Sequence, residues 1–336
     1  MTKTRIAVNG FGRIGRMVFR QAALDDQLEV VAINASYPPE TIAHLLKRDS
    51  VHGPFSGDVK ALDDGIEVNG KKVLLTSNRN PEQLPWTDLK VDVVVEATGK
   101  FNSQESAELH IQAGAKKVVL TAPGSGVDRT IVLGVNGESY DAENDVVISN
   151  ASCTTNCLAP VVKVLDDHFK VNSGLMTTVH AFTTDQLNLD NPHKDLRRAR
   201  GCTQSIIPTS TGAAKALGLV LPHLSGKLDG MALRVPTPNV SLVDLVVELD
   251  KEVTKEEVNK AFQTEAAGSL KGILDYNEDP LVSIDYTTDD HSAIVDGLST
   301  MVMEDNKVKV LAWYDNEWGY SARVVDLTKL VGQSLQ

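Results

Sequence analysis

Short runs of β-branched and aliphatic residues alternate with stretches of helical periodicity over the first 150 residues of the chain. Strand patterns occur at residues 5–9, 30–34, 91–96, 117–121 and 146–149. Apolar residues recur at helical spacing over 14–24 and 103–113. Such alternation is typical of a parallel sheet covered by helices. The pattern predicts an α/β fold with a doubly wound parallel sheet.

Two turn signals interrupt this alternation. Asp63-Asp64-Gly65 and Asn69-Gly70 lie between short apolar runs, and such dipeptides are strong hairpin signals. We therefore expect an antiparallel excursion from the parallel sheet.

The pattern changes in the second half of the chain, where longer strand patterns occur at 174–180, 230–234, 241–249 and 308–314. They predict a second, α+β domain built on a mixed sheet. Residues 183–204 are polar and have no clear periodicity, and so long a loop inside a compact domain is typically functional. Residues 321–335 read as a closing helix.

Composition narrows the possible functions. The 336 residues are enough for two domains, and 45 acidic against 33 basic residues argue against nucleic acid or an anionic membrane as partner. No apolar run approaches a membrane span and no signal peptide is recognisable, so we expect a soluble cytoplasmic protein. The three cysteines make neither a disulfide framework nor a zinc site, and we expect no metal.

A glycine-rich turn follows the first strand pattern and opens a helix, reading Gly10-Phe11-Gly12-Arg13-Ile14-Gly15. This is the context that a dinucleotide phosphate site requires. Gly10 permits the tight turn, Gly12 lets the backbone approach a pyrophosphate, and Gly15 allows close helix packing. The alternative is an ordinary glycine-rich connection.

Cys153 stands in the polar segment NASCTTNC at residues 150–157, and His180 follows about one βα unit later. An isolated cysteine is usually a small buried apolar residue. Here the hydroxyls of Ser152 and Thr154 and a helix beginning beside Cys153 would favour a thiolate. The pair resembles a thiol nucleophile with its base, although His180 could also be a hydrogen-bonded core residue.

Six segments together carry a family resemblance: NGFGRIGR (9–16), SNASCTTNC (149–157), HAFTTDQ (180–186), STGAAKA (210–216), RVPTPNVS (234–241) and WYDNEWGYS (313–321). The chain resembles a phosphorylating glyceraldehyde-3-phosphate dehydrogenase over essentially its whole length. The resemblance implies a Rossmann-type dinucleotide-binding domain over 1–151, completed by the C-terminal helix 318–336, and a catalytic domain over 152–317. It also implies a homotetramer.

The resemblance further implies a covalent mechanism. The Cys153 thiolate attacks the aldehyde, and the resulting hemithioacetal loses a hydride to the nicotinamide cofactor to leave a thioester. Inorganic phosphate then releases an acyl phosphate. His180 acts as base and stabilises the developing charge.

Two phosphate sites are implied as well. The positions that match the family's substrate-phosphate site are Thr183, Asp185 and Arg234. Those that match the inorganic-phosphate site are Ser152, Thr211 and Gly212 with Arg197 or Arg198, and Thr154 lies beside Cys153. An arginine fork suits phosphate oxygens, and Asp185 can hold such an arginine in place. Spacing alone does not decide between Arg197 and Arg198.

Further positions resemble cofactor contacts of the family. Asn316 would hold the nicotinamide carboxamide beside Tyr320. Thr98 and Thr121 lie at strand ends that line the cofactor, and Arg79 could reach the adenine end.

Two departures from the family's NAD pattern concern cofactor choice. Ala35 stands where NAD-using members have an aspartate that rejects an added phosphate, and Asn191 stands where they often have leucine. Nothing at Ala35 and Ser36 would repel a 2'-phosphate. We predict a preference for NADP, contacted by Ser36, Asn191 and Arg79, with use of NAD as well still open.

Two other functions stay open. An erythrose-4-phosphate dehydrogenase shares the cysteine and the histidine, but that group tends to alter the Thr183 and STGAAK segments, which are intact here. A non-catalytic binding protein could keep the same fold. Intact Cys153, His180, Arg234 and Asn316 weigh against it.

Overall fold

The structure is a computed structural model that describes residues 3–336. These residues divide into two compact units. The first comprises the chain up to Ile131 with Glu138–Ala151 and Ser321–Gln336, and the second comprises Val132–Gly137 and Ser152–Tyr320. The units differ from the predicted domains in segment 132–137 and at the start of the last helix.

The strands of the first unit are β1 (Thr4–Asn9), β2 (Leu28–Asn34), β3 (Val59–Leu62), β4 (Gly65–Val68), β5 (Lys71–Thr76), β6 (Val93–Glu96), β7 (Lys117–Leu120), β8 (Arg129–Thr130) and β9 (Val147–Ser149). Those of the second unit are β10 (Val171–Ala181), β11 (Ile207–Ser210), β12 (Leu228–Val235), β13 (Ser241–Leu249), β14 (Leu274–Asn277), β15 (Ala293–Asp296), β16 (Met301–Met303) and β17 (Lys307–Tyr314).

The α-helices are α1 (Arg13–Ala22), α2 (Pro39–Lys47), α3 (Gln104–Ala107), α4 (Leu109–Gln112), α5 (Cys153–Phe169), α6 (Ala213–Val220), α7 (Lys255–Ala267) and α8 (Trp318–Gln333). Short 3-10 helices lie at Pro81–Gln83, Gly137–Ser139, Pro222–Leu224, Ser283–Tyr286 and Gly297–Ser299. No helix of residues 3–336 is long and apolar enough to cross a bilayer.

The first unit is built on one sheet with the strand order β3-β4-β5-β2-β1-β6-β7-β9-β8. The pairs from β5 through β2, β1, β6, β7 and β9 to β8 are parallel. The central residues of β1, β6, β7 and β9 are fully buried aliphatic side chains, as expected where helices cover both faces of a parallel sheet. The predicted antiparallel excursion is confirmed, since β3, β4 and β5 pair antiparallel through the two predicted turns.

The second unit contains a mixed sheet with the order β11-β12-β10-β13-β17-β15-β14, and β16 pairs with β17. β10 runs parallel to β12 but antiparallel to β13. Burial alternates along β13 and β17, so one face of the sheet packs against helices and the other is uncovered. The uncovered face carries Leu175, Met231 and Val246, which are 68%, 41% and 42% exposed.

The predicted fold class is confirmed, and the long strands lie within a few residues of their predicted bounds. The helical stretch predicted over 103–113 is present, but as two short helices, α3 and α4, that Glu108 separates. Ser103 caps α3 in a local hydrogen-bonded box with Ser106. That capping interaction fixes the first turn independently of the apolar periodicity.

Candidate functional site

Cys153 is the first residue of α5. Ser152 caps the helix, and its hydroxyl accepts a hydrogen bond from the N–H of Thr155 at 3.0 Å. Ala151 has a φ of 55°, a conformation uncommon for a residue with a Cβ. This sharp entry sets Cys153 in the first turn of the helix, where the backbone N–H groups produce a positive potential.

His180 lies near the end of β10 and faces Cys153. The distance between His180 Nε2 and Cys153 Sγ is 3.5 Å. His180 is 3% exposed, and its ring packs edge-on against Tyr314. The structure therefore places the predicted thiol and imidazole within hydrogen-bonding reach of each other.

Arg234 completes this group because β12 lies beside β10. The parallel register sets His180 opposite Arg234, so the two side chains project from neighbouring strands. Arg234 Nη1 lies 2.7 Å from His180 Nδ1 and donates to the Ala181 carbonyl oxygen at 2.9 Å. The Ala181 carbonyl oxygen also lies 2.7 Å from His180 Nδ1, so it can accept the Nδ1–H and leave the Nε2 lone pair facing Cys153.

Burial and charge set the protonation of this pair. Burial, followed by the charge of Arg234, lowers the pKa of His180 to about 3, so the imidazole is neutral at working pH. Burial raises the pKa of the Cys153 thiol, and the nearby Arg234 cation opposes that rise. The free chain therefore holds Cys153 as a thiol. This differs from the thiolate expected from the helix start alone, because desolvation outweighs the favourable charges.

Tyr314 was not among the residues predicted from the sequence. Its buried hydroxyl lies 2.9 Å from Thr154 Oγ1 and 2.8 Å from Thr178 Oγ1, so it joins α5 to β10 behind Cys153 and His180. The Thr154 hydroxyl is consequently engaged inside the protein. The only sequence signal for Tyr314 was its place in the WYDNEWGYS segment.

The structure separates the two arginines that spacing left open. Arg198 Nη1 donates to Asp185 Oδ2 at 2.5 Å and Arg198 Nε donates to Thr209 Oγ1 at 3.0 Å. Its charge also acts on His180 and Arg234. Arg197 is exposed, and its guanidinium donates to the Pro208 carbonyl oxygen at 3.5 Å. Arg198 is therefore the inward-facing member of the pair.

The remaining predicted phosphate residues lie at chain turns. Thr211 and Gly212 lead into α6, where the Thr211 hydroxyl accepts a hydrogen bond from the N–H of Ala213 at 3.2 Å. The Thr183 carbonyl oxygen accepts a hydrogen bond from the N–H of Gln186 at 2.8 Å, which closes a turn at the end of β10. Phosphate binding at these positions stays a prediction.

The glycine turn of the first unit has the predicted local geometry. Gly10 has a φ of 96°, and a Cβ there would lie 2.8 Å from the Ala97 backbone. A Cβ on Gly15 would lie 2.1 Å from the Gly10 carbonyl oxygen, whereas a Cβ on Gly12 would meet nothing within 4 Å. Gly12 thus leaves open space at the start of α1, where helix N–H groups have no partner in the helix.

The side chain of Arg13 faces Asp49. Two hydrogen bonds join the guanidinium to the carboxylate, and that carboxylate also accepts from the N–H groups of Val51 and His52. Although burial alone would raise it, these bonds hold the pKa of Asp49 well below its usual range. Arg13, Phe11 and Ile14 would accordingly meet a cofactor through the backbone of the turn.

The other predicted cofactor residues of the first unit follow strand ends. Ala35 and Ser36 follow β2, Thr98 follows β6 and Thr121 follows β7. Arg79 follows β5. The carboxyl ends of parallel strands share one edge of the sheet, which is the usual ligand-binding edge. The residues of this unit therefore fit a dinucleotide.

Comparison with known protein families agrees with both units. Residues 4–104 match the family model described as glyceraldehyde 3-phosphate dehydrogenase, NAD binding domain. Residues 152–316 match the one described as glyceraldehyde 3-phosphate dehydrogenase, C-terminal domain. The chain belongs to the glyceraldehyde 3-phosphate dehydrogenase family. The predicted resemblance to the phosphorylating enzymes is confirmed.

Several curated relatives of this dehydrogenase are similar over their full length. Glyceraldehyde-3-phosphate dehydrogenase 2 of Bacillus subtilis strain 168 is 67% identical over 334 residues, covering 99% of this chain and 98% of the relative. The protein of the same name from Staphylococcus epidermidis RP62A is 61% identical, covering 98% and 96%. That from Staphylococcus aureus MRSA252 is 61% identical, covering 99% and 97%.

Three predicted cofactor residues lie in the second unit of the dehydrogenase. Asn316 is 5% exposed, and its Oδ1 accepts a hydrogen bond from Ser241 Oγ at 2.7 Å, which orients its amide. Tyr320 is buried near the start of α8. Asn191 is exposed in the long loop. Among residues 3–336, no three histidine, cysteine or carboxylate side chains are placed to hold a metal ion.

Proposed function

We propose that the chain converts glyceraldehyde 3-phosphate, inorganic phosphate and NAD(P) to 1,3-bisphosphoglycerate and NAD(P)H through a thioester on Cys153. The observation that carries this proposal is the group Cys153, His180 and Arg234, in which a thiol at a helix start lies 3.5 Å from a neutral imidazole. A neutral imidazole can accept the thiol proton as the sulfur attacks.

The proposed residue roles follow from these contacts. Cys153 Sγ forms the bond to the aldehyde carbon while its proton passes to His180. His180 returns this proton to the oxyanion, which becomes the hydroxyl of the hemithioacetal, and accepts it again when the carbon is oxidised. When bound, the nicotinamide cofactor supplies the oxidant that removes a hydride from the hemithioacetal. Inorganic phosphate attacks the thioester and the thiolate of Cys153 leaves.

The proposed anion sites use the charges around this group. Arg234 with Thr183 takes the phosphate of the substrate, and Arg198 with Ser152, Thr211 and Gly212 takes inorganic phosphate. Asp185 pairs with Arg198 and so orients the guanidinium. Arg197 is assigned no phosphate contact, because its side chain is exposed and faces Pro208. Asn316, with Tyr320 beside it, is proposed to hold the carboxamide of the nicotinamide.

We also propose that NADP is the preferred cofactor. Ala35 brings no negative charge to the end of β2, where a carboxylate would repel a 2'-phosphate. A cavity of about 270 Å³ opens beside Ser36 and is lined also by Ser77. Arg79 is exposed nearby in sequence, and Asn191 is the proposed contact from the long loop. Asp63 and Asp64 line the same cavity, which leaves use of both cofactors open.

A preference for NADP suits the biosynthetic direction toward glyceraldehyde 3-phosphate, and we propose that direction of flux. The proposed compartment is the cytoplasm, where the three free cysteines would stay reduced.

The proposed assembly is a homotetramer. The uncovered sheet face with Leu175, Met231 and Val246 supports it, because an exposed apolar face of this kind marks an interface. Light scattering on the purified protein tests the assembly, and a monomer would contradict it.

The decisive experiment is steady-state oxidation of glyceraldehyde 3-phosphate with phosphate present, in which kcat/KM is compared for NADP and NAD on one preparation. A higher value with NADP supports the cofactor assignment. A higher value with NAD contradicts it.

The same assay with erythrose 4-phosphate as substrate tests the alternative that the chain is an erythrose-4-phosphate dehydrogenase. A higher kcat/KM with erythrose 4-phosphate than with glyceraldehyde 3-phosphate would favour that alternative. Absence of turnover with both aldehydes would favour the non-catalytic alternative.

A further inference from the structure

The last residue of β2, Asn34, binds the turn after β5 through both atoms of its side-chain amide. Its Nδ2 donates to the Asn78 carbonyl oxygen at 2.7 Å, and its Oδ1 accepts from the Asn78 N–H at 3.0 Å. Thr76 Oγ1 donates to the same Oδ1 at 3.0 Å. Asn34 thus holds the chain at Asn78, two residues beyond the end of β5.

The orientation of this amide is fixed from its inner side. Asn34 Nδ2 also donates to Asn9 Oδ1 at 2.7 Å, and Asn9 Nδ2 donates to the buried carboxylate of Glu96 at 2.5 Å. Glu96 accepts in turn from the Thr98 N–H at 2.7 Å and binds the His110 ring nitrogen at 3.1 Å. A carboxylate surrounded by donors forces Asn9 to present its oxygen to Asn34, so Asn34 cannot flip without leaving buried polar atoms unpaired.

Hydrogen bonds also fix the turn after β5 on its C-terminal side, around Asn80. Asn78 Oδ1 accepts from the Asn80 N–H at 3.0 Å, and Asn80 Oδ1 caps the following 3-10 helix by accepting from the Glu82 N–H at 3.2 Å. Asn78 Nδ2 donates to Gln83 Oε1 at 3.0 Å. The backbone is therefore fixed on both sides of Arg79.

Among the described residues, Arg79 differs from several other arginines of the first unit in its lack of a carboxylate partner. Its side chain is exposed, and within residues 3–336 the structure gives it no hydrogen bond or ion pair. By comparison, Arg5, Arg13 and Arg129 each pair with a carboxylate. A cation without a partner on a fixed backbone is suited to an anion that arrives from solution.

We propose that Asn34 is a positioning residue for cofactor specificity, which holds the Arg79 turn beside Ala35 so that the guanidinium meets the 2'-phosphate of NADP. This rests on the proposed NADP preference. Selectivity for NADP then depends on the buried amide of Asn34 as well as on the residues that face the phosphate. Fixing the backbone in advance reduces the entropy lost when the cofactor binds.

The test measures the Kd of NADP and of NAD by titration calorimetry on the intact enzyme and on Asn34→Ala. We expect the Kd of NADP to rise about five- to tenfold, because the turn loses its fixed position. The Kd of NAD should change less than about twofold, because NAD has no 2'-phosphate for Arg79 to bind. An equal rise for both cofactors indicates a general structural role and overturns the inference.

A double-mutant cycle with Arg79→Ala makes the test specific. If Asn34 acts through Arg79, Asn34→Ala should raise the Kd of NADP only in the chain that still has Arg79, because coupled residues are not additive. Full additivity overturns the positioning role and leaves the NADP proposal intact, provided that Arg79→Ala alone weakens NADP. Unchanged NADP binding in Arg79→Ala overturns the proposed recognition itself.

A milder variant keeps the test decisive if Asn34→Ala does not fold. Thr76→Val removes one hydrogen bond to Asn34 Oδ1 and keeps the side-chain shape, so it should weaken NADP selectively by about two- to threefold. Gln104→Ala is the matched control, since its amide also bridges two segments of the first unit, to Glu108 and Asp128. Loss of NADP selectivity in the control would overturn the inference.

Discussion

The two units place different kinds of chemical groups at their candidate sites. Around Cys153, the second unit assembles Arg234, Arg198 and Asp185 close to a buried neutral imidazole. At its strand ends, the first unit presents glycine backbone and the amides of Asn9 and Asn34, with the buried Glu96 carboxylate behind Asn9 and the exposed cation of Arg79 at the edge.

The difference follows from what each site must do. A nucleophilic site has to shift protons, and proton affinities move when ionisable groups are desolvated beside fixed charges. A cofactor site has to recognise a shape and a pyrophosphate, for which backbone N–H groups and helix ends are sufficient. In the second unit the charges thus lie beside the reacting atoms, whereas in the first unit buried charges such as Glu96 orient the amides around the proposed ligand site.

The largest expected effect is on the charged side of this comparison. Cys153→Ser should lower kcat by about 10³-fold or more, because a serine hydroxyl beside a neutral histidine is a far weaker nucleophile than a thiol. The Kd of the cofactor should stay within about twofold of the original. Stopped-flow measurement of NAD(P)H formation and a binding titration check the two parts. An unchanged rate would refute the proposed mechanism.

Ala35→Asp tests the cofactor side. The new carboxylate at the end of β2 should lower kcat/KM with NADP by about 10- to 100-fold through repulsion of the 2'-phosphate, while NAD is retained. Ala35→Asn is the uncharged control of the same size and should have a smaller effect. If the NADP rate survived in Ala35→Asp, the 2'-phosphate would lie elsewhere.

Arg234→Leu addresses the balance of charges at Cys153. Because Arg234 opposes the rise in the thiol pKa caused by burial, its removal should raise that pKa further. The rate of Cys153 alkylation by iodoacetamide at pH 7.5 should therefore fall about tenfold. The curve of alkylation rate against pH should move to higher pH. Arg197→Leu removes an exposed arginine and should leave the curve in place. An identical shift in both variants would contradict a local effect of Arg234.

The smallest expected effect concerns the ion pair behind the glycine turn. Since the folded-state pKa of Asp49 lies below its unfolded value, its stabilisation is present above about pH 4 and is lost as the pH falls through the folded pKa. Asp49→Asn should lower the free energy of unfolding at pH 7 by about 1 kcal/mol, a modest value because Arg13 is a quarter exposed. Urea unfolding at pH 7 and at low pH should give a difference that shrinks with acid. A constant difference would rule out the ionic contribution.

Local sequence was sufficient for much of the fold. The runs that form β1, β2, β6, β7 and β9 are short and apolar, and they alternate with segments of helical periodicity. Their identity as strands and their sequence along the chain were therefore predictable. The helices α2, α6 and α7 and the strands β14 to β16 were not predicted. They lie in segments where local periodicity is weak, and packing against the sheets determines their conformation.

For the candidate site, the sequence by itself determined the residue types: a cysteine before a helix, a histidine at a strand end, the glycine spacing of a dinucleotide turn, and Ala35 in place of a carboxylate. Only the tertiary structure turned Arg198 inward and left Arg197 exposed, brought Tyr314 behind Thr154, and set Arg234 against His180 through the register of β10 and β12. The same is true of the thiol, whose proton affinity is raised by burial. A motif consists of residues that are close together in sequence, so it can be recognised from the sequence alone. Strand register, burial and the electrostatic environment depend on residues that are far apart in sequence and meet only in the folded structure.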